Sequence, residues 1–154
     1  MLYVLPEHPL FIAPYQMRHI KGYAPYGIPI YDDRTYVNKH SVLKPIGDQS
    51  IEFVKRWYMH AYRAYIPYMY HAMDILSLHH PFTYIANTEE QAPRVGDILI
   101  WKQAGMYKTS GHVAIVIKVL DPSAVIVAEQ NTSARNGIRT VNPRSSAIMG
   151  WMRV

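Results

Sequence analysis

The segment between His112 and Glu129 constrains the fold most strongly, because it has the pattern of two β-strands joined by a turn. Runs of valine, isoleucine and alanine predict strands over residues 112–119 and 124–129. The intervening Leu120-Asp121-Pro122-Ser123 is rich in turn-forming residues and short enough for an antiparallel hairpin. A loop closing between Val119 and Ala124 places His112 opposite Asn131, with Glu129 on its diagonal.

This register brings polar side chains together at the open end of the hairpin. Opposed residues, and residues two apart on one strand, project from the same face of a sheet. His112, Glu129 and Asn131 should therefore share a face. A slip of two residues would put Glu129 directly opposite His112, whereas a slip of one would separate the side chains.

A helix is predicted from Gln49 to about Arg63, with Asp48 as a candidate N-cap. The apolar residues that recur at helical spacing are Ile51, Val54, Tyr58 and Ala61. Ser50 then lies in the first turn. A second helix is predicted from about Tyr68 to Leu78. Residues 1–46 have the composition of loops with short strands, and further strands are predicted over 97–102 and 148–154. Helices followed by strands indicate an α+β fold.

Composition limits the classes of protein to consider. With 154 residues and 49% hydrophobic content, the chain suits a single domain over residues 1–154, in which the role of residues 1–20 is open. The net charge of +5 comes from basic residues scattered along the chain, so we expect no nucleic-acid partner. We see no signal peptide and no membrane span, and therefore expect a cytoplasmic protein without a membrane partner. Cysteine is absent, which excludes disulfides and thiolate metal sites. We also expect no metal site of another kind and no cofactor.

The placement of Ser50, His112 and Glu129 is typical of nucleophilic catalysis. A histidine beside a carboxylate can act as a general base whose ring is oriented by the carboxylate. The N-terminus of a helix carries partial positive charge, which favours a reactive nucleophile and a developing oxyanion. By spacing alone, however, a serine at a helix start is more often a capping residue.

Several ordered motifs extend this hypothesis over most of the chain. They are Gly22-Tyr23-Ala24-Pro25, Gln49-Ser50-Ile51-Glu52-Phe53, Gly96-Asp97, Gly111-His112-Val113-Ala114-Ile115, Ala128-Glu129-Gln130-Asn131 and Gly150-Trp151-Met152. With these motifs the chain resembles the CHAP family of cysteine, histidine-dependent amidohydrolases and peptidases, and within it the glutathionylspermidine amidase branch. The resemblance implies a papain-like fold with a nucleophile helix packed on an antiparallel sheet.

The resemblance also implies roles for individual residues. Ser50 occupies the position of the family's nucleophilic cysteine, His112 that of the base and Glu129 that of the orienting group. Gln49 and Asn131 are further site candidates, Gln49 as an oxyanion donor. Substrate binding is expected of Lys55, where arginine is common in the family, and of Arg56.

The activity implied is hydrolysis of the amide bond of glutathionylspermidine to glutathione and spermidine through an acyl-enzyme. An alcohol is less acidic than a thiol, so Ser50 should impair turnover, and the sequence leaves open whether this serine is natural or introduced. A small-molecule glutathione–polyamine conjugate is therefore the expected partner. Two alternatives stay open: a peptidoglycan amidase or endopeptidase, and a non-catalytic binding module.

Overall fold

The computed structural model describes residues 19–32 and 49–154. The predicted N-cap Asp48 and most of the N-terminal segment lie outside these ranges. The described elements are β1 (Ile20–Ala24), β2 (Ile28–Tyr31), α1 (Gln49–Tyr62), β3 (Thr83–Ala86), β4 (Ile98–Trp101), β5 (His112–Asp121), β6 (Ala124–Ala128), β7 (Ile138–Val141) and β8 (Ile148–Arg153). Three 3₁₀ helices connect them, over Pro25–Gly27, Ala72–Ser77 and Gly105–Tyr107.

The described strands form one hairpin and one larger sheet. β1 pairs with β2, while the other six strands form an antiparallel sheet in the order β3-β8-β4-β5-β6-β7. β5 is the longest of the described strands and lies inside this sheet between β4 and β6. The predicted α+β class, with a helix packed on an antiparallel sheet, is confirmed.

The sheet carries a separate apolar cluster on each face. α1 packs against the face that carries Ile98, Val113 and Ile115, through its buried side chains Phe53, Val54, Trp57 and Tyr58. The other face has its own apolar cluster around Leu99, Trp101, Ala114, Val116, Val127 and Trp151. Alternation along the strands explains both clusters, because successive side chains point to opposite faces. His112 pairs with Trp101 and so belongs to the second face.

The β5–β6 hairpin confirms the predicted register near its open end and corrects it near the turn. Ile115 pairs with Ala128 and Val116 with Val127, as a continuous ladder from Val119–Ala124 would require. Nearer the turn the register shifts twice, and β5 continues to Asp121, which pairs with Ala124. The connection is therefore tighter than predicted. The two irregularities offset the shorter turn, so the site end keeps its expected alignment.

Other predictions need correction. The second helix is a short 3₁₀ helix over Ala72–Ser77, and the chain between Arg63 and Tyr70 contains no regular element. Pro67 lies in that stretch, and the short helix begins at a local cap in which the His71 N–H donates to Asp74 Oδ2 at 2.9 Å. Two strands, β3 and β7, were not predicted. Each is only four residues long and mostly exposed or half-buried, so its periodicity is weak.

Candidate active site

The centre of the candidate site is a buried hydrogen bond between His112 and Glu129. His112 opens β5, and Glu129 directly follows β6. His112 Nε2 lies 2.8 Å from Glu129 Oε1, and the two residues are 2% and 0% exposed. Donation from Nε2 to the carboxylate leaves Nδ1 as the nitrogen that can accept a proton from a nucleophile. The structure thus brings together the base and orienter predicted from the strand register.

Glu129 is held by further donors that the sequence analysis did not identify. Arg139, on β7, donates to Glu129 Oε2 through Nε and to Oε1 through Nη2, the latter at 3.1 Å. The Thr132 hydroxyl donates to Oε2 at 3.2 Å. Burial by itself raises the pKa of Glu129, but hydrogen bonds from His112 and Arg139 outweigh it, and the pKa lies below the ordinary value. Glu129 is therefore an ionised carboxylate at neutral pH.

Ser50 reaches the same cavity as His112. It lies in the first turn of α1 and is 2% exposed. A cavity of about 280 Å³ is lined by Ser50, Met106, Tyr107, Thr109, Ser110, Gly111, His112 and Asn131. Although α1 packs on the opposite face of the sheet from His112, its N-terminal turn reaches the cavity at the beginning of β5. The candidate nucleophile and base are thus joined by one concave surface.

Asn131 also lines this cavity, but not as a paired strand residue. β6 ends at Ala128, and Asn131 has a φ of 65°, in the left-handed region that asparagine tolerates better than most residues. The chain therefore turns here, which leaves Asn131 exposed at the cavity wall. Gln49 is the first residue of α1, and its side chain is outside the described structure.

Lys55 and Arg56 do not line the Ser50 cavity. They line a separate cavity of about 280 Å³ with Glu52, Met59, His60, Tyr65 and Ile66. Partial burial lowers the pKa of Lys55, against the opposing effect of nearby Glu52. The structure therefore separates the two predicted substrate-binding cations from the predicted catalytic residues.

Arg56 is engaged in a buried polar network. It donates to both carboxylate oxygens of Glu52, at 2.9 and 3.3 Å, to the Pro29 carbonyl at 2.7 Å and to Gln130 Oε1 at 2.8 Å. Gln130 in turn donates to Glu52 Oε1 at 2.9 Å and accepts from the Tyr31 N–H. Arg56 thereby joins α1, β2 and the segment that follows Glu129.

Two residues close to His112 were not predicted from the sequence. They are Arg139 and Tyr107. The Tyr107 ring stacks on the His112 ring with centroids 4.6 Å apart and planes 9° apart. Arg139 Nη2 donates to the Tyr107 hydroxyl at 3.3 Å. The register of β7 would have indicated Arg139, because it pairs with Val127 and so shares the face of Glu129. Tyr107 lies in a short 3₁₀ helix and gives no periodic signal.

Within residues 19–32 and 49–154, no group of three or more histidine, aspartate or glutamate residues could hold a metal ion. In the same ranges no helix is both long enough and apolar enough to cross a membrane.

Comparison with known proteins identifies the family. The CHAP domain model matches residues 39–131, which is more than half of the chain and includes Ser50, His112 and Glu129. The chain is also 31% identical, over 85% of its length, to the bifunctional glutathionylspermidine synthetase/amidases of Escherichia coli strain K12 and Shigella flexneri. It spans 28% of the length of each of these relatives. The match, together with the His112–Glu129 pair beside a helix N-terminus, places this chain in the CHAP domain family.

Proposed function

We propose that this domain hydrolyses an amide bond through a covalent acyl intermediate on Ser50, with His112 as general acid and base and Glu129 as the orienting carboxylate. The observation that carries the proposal is the buried 2.8 Å contact between His112 Nε2 and Glu129 Oε1, on a cavity that Ser50 also lines. A nucleophile, a histidine and a third group in these roles are shared by hydrolases of unrelated fold.

In this mechanism the Ser50 oxygen attacks the amide carbonyl carbon while His112 Nδ1 takes the hydroxyl proton. The resulting imidazolium donates from Nε2 to Glu129, whose carboxylate stabilises the positive charge. Negative charge on the former carbonyl oxygen is favoured by the N-terminus of α1, and Gln49 is a proposed donor to it. His112 then gives its proton to the leaving amine as the carbon–nitrogen bond breaks.

The second half of the reaction repeats these steps with water. His112 removes a proton from a water molecule, which attacks the ester carbon of the acylated Ser50. The proton then returns to the Ser50 oxygen as the carboxylic acid product leaves. Asn131, at the cavity wall, is proposed to contact the acyl group.

For the substrate we propose glutathionylspermidine, hydrolysed to glutathione and spermidine. Support comes from the two relatives, which are named as synthetase/amidases of this compound, and from the ordered motifs shared with that branch. We also propose that Ser50 replaces a cysteine nucleophile. A thiol is ionised more easily than an alcohol, so a cavity suited to sulfur should work slowly with oxygen.

The test is release of free spermidine from glutathionylspermidine by the chain and by its Ser50→Cys variant. We expect faster hydrolysis with cysteine and loss of hydrolysis when His112→Ala is added. The matched control is Ser146→Cys, which introduces a thiol at an exposed position outside the Ser50 cavity. If neither the chain nor Ser50→Cys releases spermidine, the substrate proposal is wrong. If His112→Ala retains full activity, the mechanism is wrong.

A further inference from the structure

Four side chains, those of His112, Glu129, Arg139 and Tyr107, form a closed ring of contacts. His112 Nε2 contacts Glu129 Oε1 at 2.8 Å, and Arg139 Nη2 contacts the same oxygen at 3.1 Å. Arg139 Nη2 also contacts the Tyr107 hydroxyl at 3.3 Å, and the Tyr107 ring lies flat on the His112 ring. Each member of the ring therefore touches the next, and Arg139 links the two groups that contact the imidazole.

This arrangement restricts the imidazole in two directions. A single hydrogen bond at Nε2 fixes one edge of the ring but lets the plane tilt about that bond. Tyr107 removes this freedom, because its ring is within 9° of parallel to His112. Trp101 closes a second side, with its centroid 5.1 Å from that of His112 in an edge-on geometry, and the Arg139 guanidinium lies over the Trp101 ring at 5.4 Å.

Arg139 also acts on the proton carried by His112. A guanidinium that donates to both oxygens fixes the plane of the Glu129 carboxylate and favours its ionised form. An ionised carboxylate only accepts hydrogen bonds, so it requires a proton on Nε2 and leaves Nδ1 as the acceptor. A protonated carboxyl group could donate to Nε2 instead and stabilise the opposite tautomer.

We propose that Arg139 and Tyr107 are positioning residues that hold His112 in the orientation and tautomer needed to exchange a proton with residue 50. Their effect on catalysis rests on the proposed amidase function. Their effect on the imidazole itself does not, so the two proposals can be tested separately.

The first test is nuclear magnetic resonance of the imidazole in protein labelled with ¹⁵N-histidine. We expect an Nε2–H proton that exchanges slowly with water and disappears in His112→Ala. Arg139→Gln should accelerate its exchange at least tenfold, whereas Arg139→Lys, which keeps the charge but not the planar fork, should have an intermediate effect. Exposed Arg135→Gln is the matched control and should leave the exchange rate unchanged.

The second test is steady-state kinetics in the Ser50→Cys background. Arg139→Gln and Tyr107→Leu should lower kcat by about 10- to 100-fold with little change in KM, as expected for a misplaced reacting group. Tyr107→Phe keeps the stack and removes only the hydroxyl, so its loss should be smaller than that of Tyr107→Leu.

The outcomes separate the two proposals. Unchanged Nε2–H exchange in both Arg139→Gln and Tyr107→Leu would overturn the positioning role, whatever the activity. Faster exchange in folded variants, in a protein that hydrolyses no amide even as Ser50→Cys, would support positioning of His112 and reject the amidase function. If kcat and melting temperature fell equally in Arg139→Gln and in the Arg135→Gln control, the role would be structural only.

Discussion

Replacing Arg56 by methionine should destabilise the protein more than it affects the chemistry. The Arg56 side chain is 10% exposed and pairs with a Glu52 side chain that is 0% exposed. Its guanidinium has four hydrogen-bonded contacts, to Glu52, Gln130 and Pro29. Methionine keeps the apolar stem but removes the guanidinium that pairs with the buried Glu52 carboxylate.

The loss of folding free energy expected for Arg56→Met follows from this burial. Removing one partner of a buried ion pair costs about 3–5 kcal/mol, because the remaining charge stays desolvated. Glu52 keeps the 2.9 Å hydrogen bond from Gln130 Nε2, so we expect the lower end, about 3 kcal/mol. For a chain of this length, about 3 kcal/mol corresponds to a fall in Tm of about 6–12 °C.

Urea denaturation followed by circular dichroism measures this cost directly. The double variant Glu52→Leu/Arg56→Met removes both charges and should recover much of the lost stability, since well-packed apolar residues often replace a buried pair without penalty. Lys55→Met is the matched control and should change the free energy of unfolding by less than about 1 kcal/mol. A loss below about 1 kcal/mol in Arg56→Met, together with a raised KM, would refute this reasoning and make Arg56 a substrate contact.

Three further predictions concern Glu129 and the β1–β2 hairpin. Glu129→Gln should lower kcat by about 1,000- to 10,000-fold, because an amide can present a donor to His112 and select the wrong tautomer; kinetics in the Ser50→Cys background measure this. Since the folded pKa of Glu129 lies below its ordinary value of 4.5, its contribution to stability is present above that value and is lost as pH falls. Acid titration of unfolding should therefore show a steeper decline below about pH 5 in the parent than in Glu129→Gln. Gly22→Ala would place a Cβ 2.1 Å from the Asn136 carbonyl oxygen and should cost about 1–3 kcal/mol in urea denaturation while slowing hydrolysis. In the control Gly27→Ala no atom of the described residues lies within 4 Å of the new Cβ, so only local strain at a φ of 71° is expected, without a loss of kcat.

The sequence was sufficient to predict the elements whose periodicity is long and regular. α1 and the paired parts of β5 and β6 have clear apolar patterns, so the positions of Ser50, His112 and Glu129 followed from local physics. The turn was harder, because the two register shifts, between Val116 and Lys118 and between Val119 and Asp121, cannot be read from composition. The predicted alignment of the site end is unaffected, because both shifts lie on the turn side of the Val116–Val127 pair.

The side-chain contacts that the sequence did not indicate join segments that are distant along the chain. Arg139 reaches Glu129 from a four-residue strand whose pattern is too short to recognise. Tyr107 stacks on His112 from a single turn of 3₁₀ helix. The internal hydrogen bonds of Arg56, to the Pro29 carbonyl on β2 and to Gln130 beside Glu129, were likewise not indicated by its place in a motif, and its predicted substrate binding stays a prediction. Such roles follow from side-chain direction in three dimensions, which spacing alone does not determine.

The most direct test of the central claim is the pH dependence of alkylation at residue 50, which requires no knowledge of the substrate. The chain has no cysteine, so iodoacetamide labelling of Ser50→Cys, measured by mass spectrometry, reports one thiol. If His112 and the start of α1 activate this position, the rate should stay high well below the ordinary thiol pKa of about 8.5, and His112→Ala should restore ordinary behaviour. Identical pH profiles with and without His112 would contradict the account.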